Sequence, residues 1–71
     1  MLQMILVSSS NVHSVGYDKN TSTLYVKFHS GQTYAYYSVP EFHYTGLLNA
    51  SSVGSYLDTY IKKGGYTYRK C

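Results

Sequence analysis

Tryptophan is absent from this chain, cysteine and proline occur once each, and only three residues carry carboxylates. A lone cysteine, Cys71, cannot close an internal disulfide, and at the extreme C-terminus it is placed to fray rather than to brace a fold. Asp18, Glu41 and Asp58 fall in a turn, at a helix start and on a helix surface. No Cys-His or Ser-His-Asp spacing accompanies them, so the expectation is a protein that is not an enzyme and needs no cofactor. His13, His29 and His43 lack the short paired spacing of structural zinc sites, which argues against a metal and predicts three solvent-facing imidazoles. Long apolar runs are also missing. The stretch Met1, Leu2, Met4, Ile5, Leu6 and Val7 is interrupted by Gln3 and is too short for a signal peptide or a membrane span, so a cytoplasmic protein is expected.

What the chain does have is tyrosine, ten residues of 71. A tyrosine can fill a core with its ring and keep its hydroxyl at the edge, or stack on a base and hydrogen-bond a phosphate or a neighbouring subunit. A single domain of this length buries only about 60% of its unfolded surface. With disulfide and metal set aside, oligomerisation is the expected addition to its stability, and a homo-oligomer is anticipated. Six Lys and Arg against three acids give a formal net charge of +3. Lys62, Lys63, Arg69 and Lys70 all lie in the last ten residues, which is either a solvated helix end and tail or a phosphate-facing edge.

Along the chain, Met4 to Val7 and Val12 to Asp18 read as two short strands or one interrupted strand, separated by Ser8, Ser9, Ser10 and Asn11. Asp18-Lys19-Asn20-Thr21 is turn chemistry, because Asp and Asn side chains bond their own backbone two residues on. Thr23 to His29 then alternates, with Leu24, Val26 and Phe28 on one face and Tyr25, Lys27 and His29 on the other. The return strand, Gln32 to Val39, carries Tyr34, Tyr36 and Tyr37. Its register has two readings. A two-residue Ser30-Gly31 turn puts Tyr34 and Tyr36 beside Lys27 and Tyr25 on the polar face. A three-residue His29-Ser30-Gly31 loop with Gly31 in a left-handed bulge puts them beside Val26 and Leu24 on the core face.

Ser38-Val39-Pro40-Glu41 predicts a capping box opening a helix that ends near Asn49. A serine caps a second helix, on which Val53, Leu57, Tyr60 and Ile61 recur at helical spacing before Gly64-Gly65 stops it. Tyr66-Thr67-Tyr68-Arg69 alternates as a strand and could join the sheet edge or another subunit's sheet. The predicted architecture is α+β, a small antiparallel sheet of three to five strands with two short helices packed on it, forming a single domain over 1–71. Tyr17, Leu24, Val26, Phe28, Leu47, Val53, Leu57 and Ile61 are assigned to its core.

Two candidate ligand surfaces emerge. The Ser51-Ser52-Val53-Gly54 helix start offers free N–H groups to a phosphate, although the serines can equally cap and Gly54 can equally serve close packing. Tyr25, Lys27, Tyr34 and Tyr36 would form a stacking platform in the two-residue register only. The residues selected for ligand binding are Tyr34 and Tyr36 for stacking, Ser52 and Gly54 for phosphate, and Lys27 and Lys62 for charge complement.

The run Ser14-Val15-Gly16-Tyr17-Asp18, then Leu24-x-Val26-x-Phe28, Gly31, Tyr34-Ala35-Tyr36, Val39-Pro40, and Ala50-x-Ser52-x-Gly54-x-Tyr56 with Ile61-Lys62 resembles the KTSC domain from about Val7 to Tyr68. That family is named after a domain at the C-terminus of some lysyl-tRNA synthetases and also occurs as stand-alone proteins in bacteria and phages; the resemblance implies RNA binding as proposed for the family, and no synthetase activity. By analogy of size and chemistry the chain also looks like small phage anti-defence sponges, which sequester cyclic dinucleotide immune signals. Three functions are therefore carried forward: a non-enzymatic oligomeric nucleotide-binding protein of the sponge kind, a small RNA-binding module, and a protein–protein interaction domain. A phage origin would put the first in the host cytoplasm.

Overall fold

The Asp18 carboxylate sets the first reversal, accepting the Asn20 N–H at 3.0 Å while Thr21 N–H donates to the Asp18 carbonyl at 3.3 Å. The strands that this and the following turns connect form an antiparallel meander in the computed structural model, which describes residues 3–71. β1 (Ile5–Leu6), β2 (Val12–Asp18), β3 (Thr23–Phe28), β4 (Thr33–Tyr36) and β5 (Tyr68–Lys70) lie side by side in chain order. Between β4 and β5 come α1 (Glu41–Asn49) and α2 (Val53–Tyr56), the latter running straight into a π-helical stretch, Leu57–Lys62. The sheet and its two helices match the expected α+β architecture.

The β3–β4 hairpin takes the three-residue loop. Gly31 has φ +95°, its N–H donates to the Phe28 carbonyl at 2.9 Å, and Phe28 N–H donates to Gln32 at 2.8 Å. Leu24 then faces Tyr36 and Val26 faces Tyr34 across the strands. The apolar side chains of β3 have to meet the helices, and Gly31 supplies the left-handed backbone that this register needs. The platform of Tyr25, Lys27, Tyr34 and Tyr36 is therefore not formed.

Val12, Val15, Leu24, Val26, Tyr36, Val39, Leu47, Val53, Leu57 and Ile61 make one core cluster between sheet and helices, with Tyr17, Phe28, Tyr34 and Tyr44 packed at its margin. Ser52 caps α2 as expected, its hydroxyl accepting the Ser55 N–H at 3.3 Å. The predicted capping box before α1 does not form. Pro40 is the N-cap, no side chain caps the helix, and Ser38 sits at φ +57°. That twist turns Val39 into the core, fully buried, with its N–H donating to Ser22 at 2.9 Å; burial of Val39 outweighs one side-chain cap.

His43 also departs from expectation. It is buried on α1, with Nδ1 3.1 Å from the Tyr56 hydroxyl and the Phe42, Tyr60 and Tyr66 rings around it. Tyr56 reaches it through the notch at Gly46, where any Cβ would overlap the phenol. No described helix is long and apolar enough to cross a membrane.

Candidate functional site: an aromatic groove at the β4–β5 end of the sheet

The helices cover the central strands but stop short of β5, and the tyrosines of β4 continue onto that uncovered corner. Tyr34 and Tyr36 share the helix-facing side of β4, and the antiparallel register places Lys70 and Tyr68 of β5 beside them. The Tyr34 and Tyr68 rings stack, with centroids 5.8 Å apart and planes 16° apart. Tyr36 lies beneath at 5.7 Å from Tyr68 and only 2% exposed, whereas Tyr68 is 61% exposed. Tyr36 is thus the floor, Tyr68 the outer wall, and Phe28 adds an edge-on contact to Tyr34 at 5.7 Å.

Lys62 reaches this corner from the end of the π-helical stretch, its Nζ 5.3 Å above the Phe28 ring. Tyr66 closes the side after Gly65 turns the chain at φ +79°. Together Tyr34, Tyr36, Lys62, Tyr66 and Tyr68 line a cleft of about 250 Å³. A second cleft of about 430 Å³, with Phe28, His29, Ser30 and Gln32 along it, shares Tyr34 and Lys62 with the first. The two meet at those residues to form one groove, lined by tyrosines at the β5 end and by Phe28 beside His29, Ser30 and Gln32 at the hairpin end.

Burial pushes the Tyr36 phenol above its ordinary pKa of 10.0, and the neighbouring Tyr34 and Tyr68 phenols push it in the same direction. Burial does the same to Tyr44. Tyr36 is therefore a neutral phenol at physiological pH and adds no negative charge beneath an anionic ligand.

Of the six residues selected from the sequence, the structure brings Tyr34, Tyr36 and Lys62 together, with Tyr36 as floor rather than as an open stacking face. Ser52 and Gly54 line a different cleft, of about 690 Å³, between the Ser8–Asn11 loop and the start of α2. There the Ser52 hydroxyl is already engaged by Ser55 N–H, and Gly54 packs on Asn11, whose Oδ1 would lie 2.7 Å from a Cβ at that position. Asp58 lines the same cleft and opposes an anion. Lys27 pairs with Ser14 and Thr33 in register and projects from the opposite face, so the sheet separates it from Lys62. The selection omitted Tyr66, Tyr68 and Lys70. Their signal was the alternation after Gly64-Gly65, which also places Lys70 on the Tyr68 side of a strand.

Three comparisons bear on the chain as a whole. It is 34% identical over 67 residues to an uncharacterized protein of Stutzerimonas stutzeri, covering 94% of each chain. It is 38% identical over 56 residues to a protein of Tsukamurella paurometabola, covering 79% of this chain and 84% of that one. The crystal structure of a KTSC domain protein from Yersinia pestis superimposes with a TM-score of 0.90 at 38% identity, covering 100% of this chain and 99% of that one. The KTSC domain pattern itself matches residues 8–66, and with sequence and fold in agreement over nearly the whole length, the chain belongs to the KTSC domain family.

Proposed function

We propose that the groove binds a nucleotide and carries out no chemistry on it, the base stacking on the Tyr34–Tyr68 pair while Lys62 and Lys70 meet the phosphate. The observation that carries this is the stacked pair, 5.8 Å between centroids, with one lysine delivered from the helical layer and one from β5. Base–tyrosine stacking contributes about 1–3 kcal/mol per base and tolerates any base, because every base has a π face. The carboxylates stand apart from it: Asp58 pairs with Lys63 at 3.5 Å, Asp18 holds its turn, and Glu41 sits in the first turn of α1.

The aromatic cleft of about 250 Å³ falls below the range of about 300–1,000 Å³ typical of sites that enclose a whole small molecule. A base and its phosphate fit that scale. A cyclic dinucleotide would extend along the hairpin half of the groove or bridge two copies of the chain, and only the second arrangement requires an oligomer. Isothermal titration with AMP, GMP, UMP and cyclic GMP–AMP tests both, with the mass of the native assembly measured alongside. Saturable binding that Tyr68→Ala weakens by about 5- to 150-fold is expected from the stacking energy. Absence of binding to every nucleotide would remove the proposal. The ligand should be recovered unaltered after heat denaturation of the protein.

A second reading, single-stranded RNA as the source of the nucleotide, is favoured by Lys62, Lys63, Arg69 and Lys70 gathering at the end of the chain that builds the groove. RNA binding through those cations would fall steeply between about 50 mM and 200 mM salt.

A further inference from the structure

Among the described residues, the sheet ends in a strand whose outer backbone is unpaired and whose flanking charge has one sign. β5 is hydrogen-bonded to β4 alone, and all three of its residues are exposed. Its phase is given by two bonds: Tyr37 N–H donates to Thr67 at 2.8 Å, and Cys71 N–H donates to Thr33 at 2.7 Å. In an antiparallel ladder the residues midway and in phase with these, here Arg69, also turn their polar backbone towards the partner. Tyr68 and Lys70 therefore point both N–H and C=O outward, two donors and two acceptors about 7 Å apart along the edge. We propose that this edge accepts an extended acidic peptide as a sixth, antiparallel strand.

Charge selects the occupant. Arg69 lies on the open face of the sheet and Lys70 on the groove face, so each face of the added strand meets a cation at this edge. A second copy of the chain is a poor occupant. Two β5 strands pairing about a two-fold axis at Arg69 would set Arg69 against Arg69, and about an axis at Lys70 would set Lys70 against Lys70; like charges opposite one another destabilise a strand pair. Asp18 ends β2 and Glu41 and Asp58 lie on the helices, so no carboxylate on β5 relieves that repulsion. The opposite edge, β1, is two residues long and carries Ile5 and Leu6, with no charge to choose a partner. Pairing along β5 also fixes side-chain order. The residue opposite Lys70 and the one opposite Arg69 should be acidic, and the one opposite Tyr68 aromatic or aliphatic, so the partner reads acidic-acidic-apolar from its N-terminus. This site uses the backbone edge of β5 and does not depend on nucleotide occupying the groove.

Fluorescence anisotropy with a labelled ten-residue peptide carrying Glu-Asp-Phe at its centre tests the proposal, against a matched peptide carrying Lys-Lys-Phe. The expected result is saturable binding of the acidic peptide at least tenfold tighter than that of the basic one, with the preference reversed for the R69E/K70E double variant. Both substitutions are at exposed positions, and circular dichroism of the variant checks that it is folded. Backbone N-methylation separates strand pairing from plain charge attraction: methyl groups on the residues that face Tyr68 and Lys70 should abolish binding, and methyl groups on the alternate residues should leave it. No saturable binding, an unreversed preference in the folded variant, or equal sensitivity to both methylation phases would overturn the proposal.

Discussion

Replacing Gly46 by alanine sets two opposing effects against each other, and their balance tests the packing between α1 and α2. In an exposed helix interior the change favours folding by about 1 kcal/mol, because glycine leaves more backbone freedom to lose. At Gly46 the new Cβ would overlap the Tyr56 phenol, whose hydroxyl is 3.1 Å from His43 Nδ1. Displacing a ring from a packed core costs about 1–3 kcal/mol. Leaving the buried imidazole without its partner adds about 1–3 kcal/mol. The net expectation is a loss of about 3 kcal/mol, the centre of these ranges. In a domain of this size each kcal/mol moves Tm by about 4–8 °C, so calorimetry should find a fall of about 12–24 °C. A Tyr56→Leu background removes the ring and should make Gly46→Ala neutral or stabilising, a coupling above about 1 kcal/mol in the double-mutant cycle. A rise in Tm from Gly46→Ala alone would refute the placement of Tyr56.

Further outcomes follow from the hairpin, the phenols and the lysines. Gly31→Ala should lower stability by about 1 kcal/mol or more in urea unfolding, since φ +95° admits no other residue without strain, whereas no neighbouring atom obstructs the added methyl. The raised folded-state pKa of Tyr36 and Tyr44 means that the native state holds those protons more tightly than the unfolded chain does. Their contribution is complete below the unfolded phenol value of about 10 and is lost as pH rises through the folded values, so Tm should decline on the alkaline side, where ultraviolet titration should show two late-ionising tyrosines. Lys62→Ala should weaken nucleotide binding while Lys27→Ala, on the far face, leaves it unchanged; equal effects in titration calorimetry would point to diffuse attraction instead.

Strand and helix identities were legible because they rest on short-range periodicity. Leu24, Val26 and Phe28 alternate on β3, Leu57 and Ile61 recur on the second helix, and Asp18 and Ser52 make local side-chain bonds that their types imply. The hairpin register was narrowed to two readings, and the choice between them came from packing: only the bulged loop lets Tyr36 join Leu24 beneath the helices. The capping box failed for a related reason, because Val39 gains more from burial than the helix loses without a cap. His43 misled because its burial is made by rings distant in sequence, Tyr56, Tyr60 and Tyr66. The groove itself combines β4 and β5, whose facing residues Tyr36 and Tyr68 are 32 positions apart, with a lysine from the helical layer, so sequence spacing selected Tyr34, Tyr36 and Lys62 without showing that they meet, and selected Ser52, Gly54 and Lys27, which lie elsewhere. The π-helical stretch, where Lys63 N–H bonds Asp58 five residues back at 3.2 Å, has no marker in the sequence pattern.

The central claim is that the Tyr34–Tyr68 pair and its lysines form a nucleotide site. Titrating the isotope-labelled protein with AMP and following amide and tyrosine-ring resonances by NMR tests it most directly. The account predicts saturable upfield ring-current shifts at Tyr68 and Tyr34, with accompanying shifts at Lys62 and Lys70 and none at Lys27. Unmoved tyrosine rings, or shifts gathered at Ser52 and Gly54 instead, would contradict it.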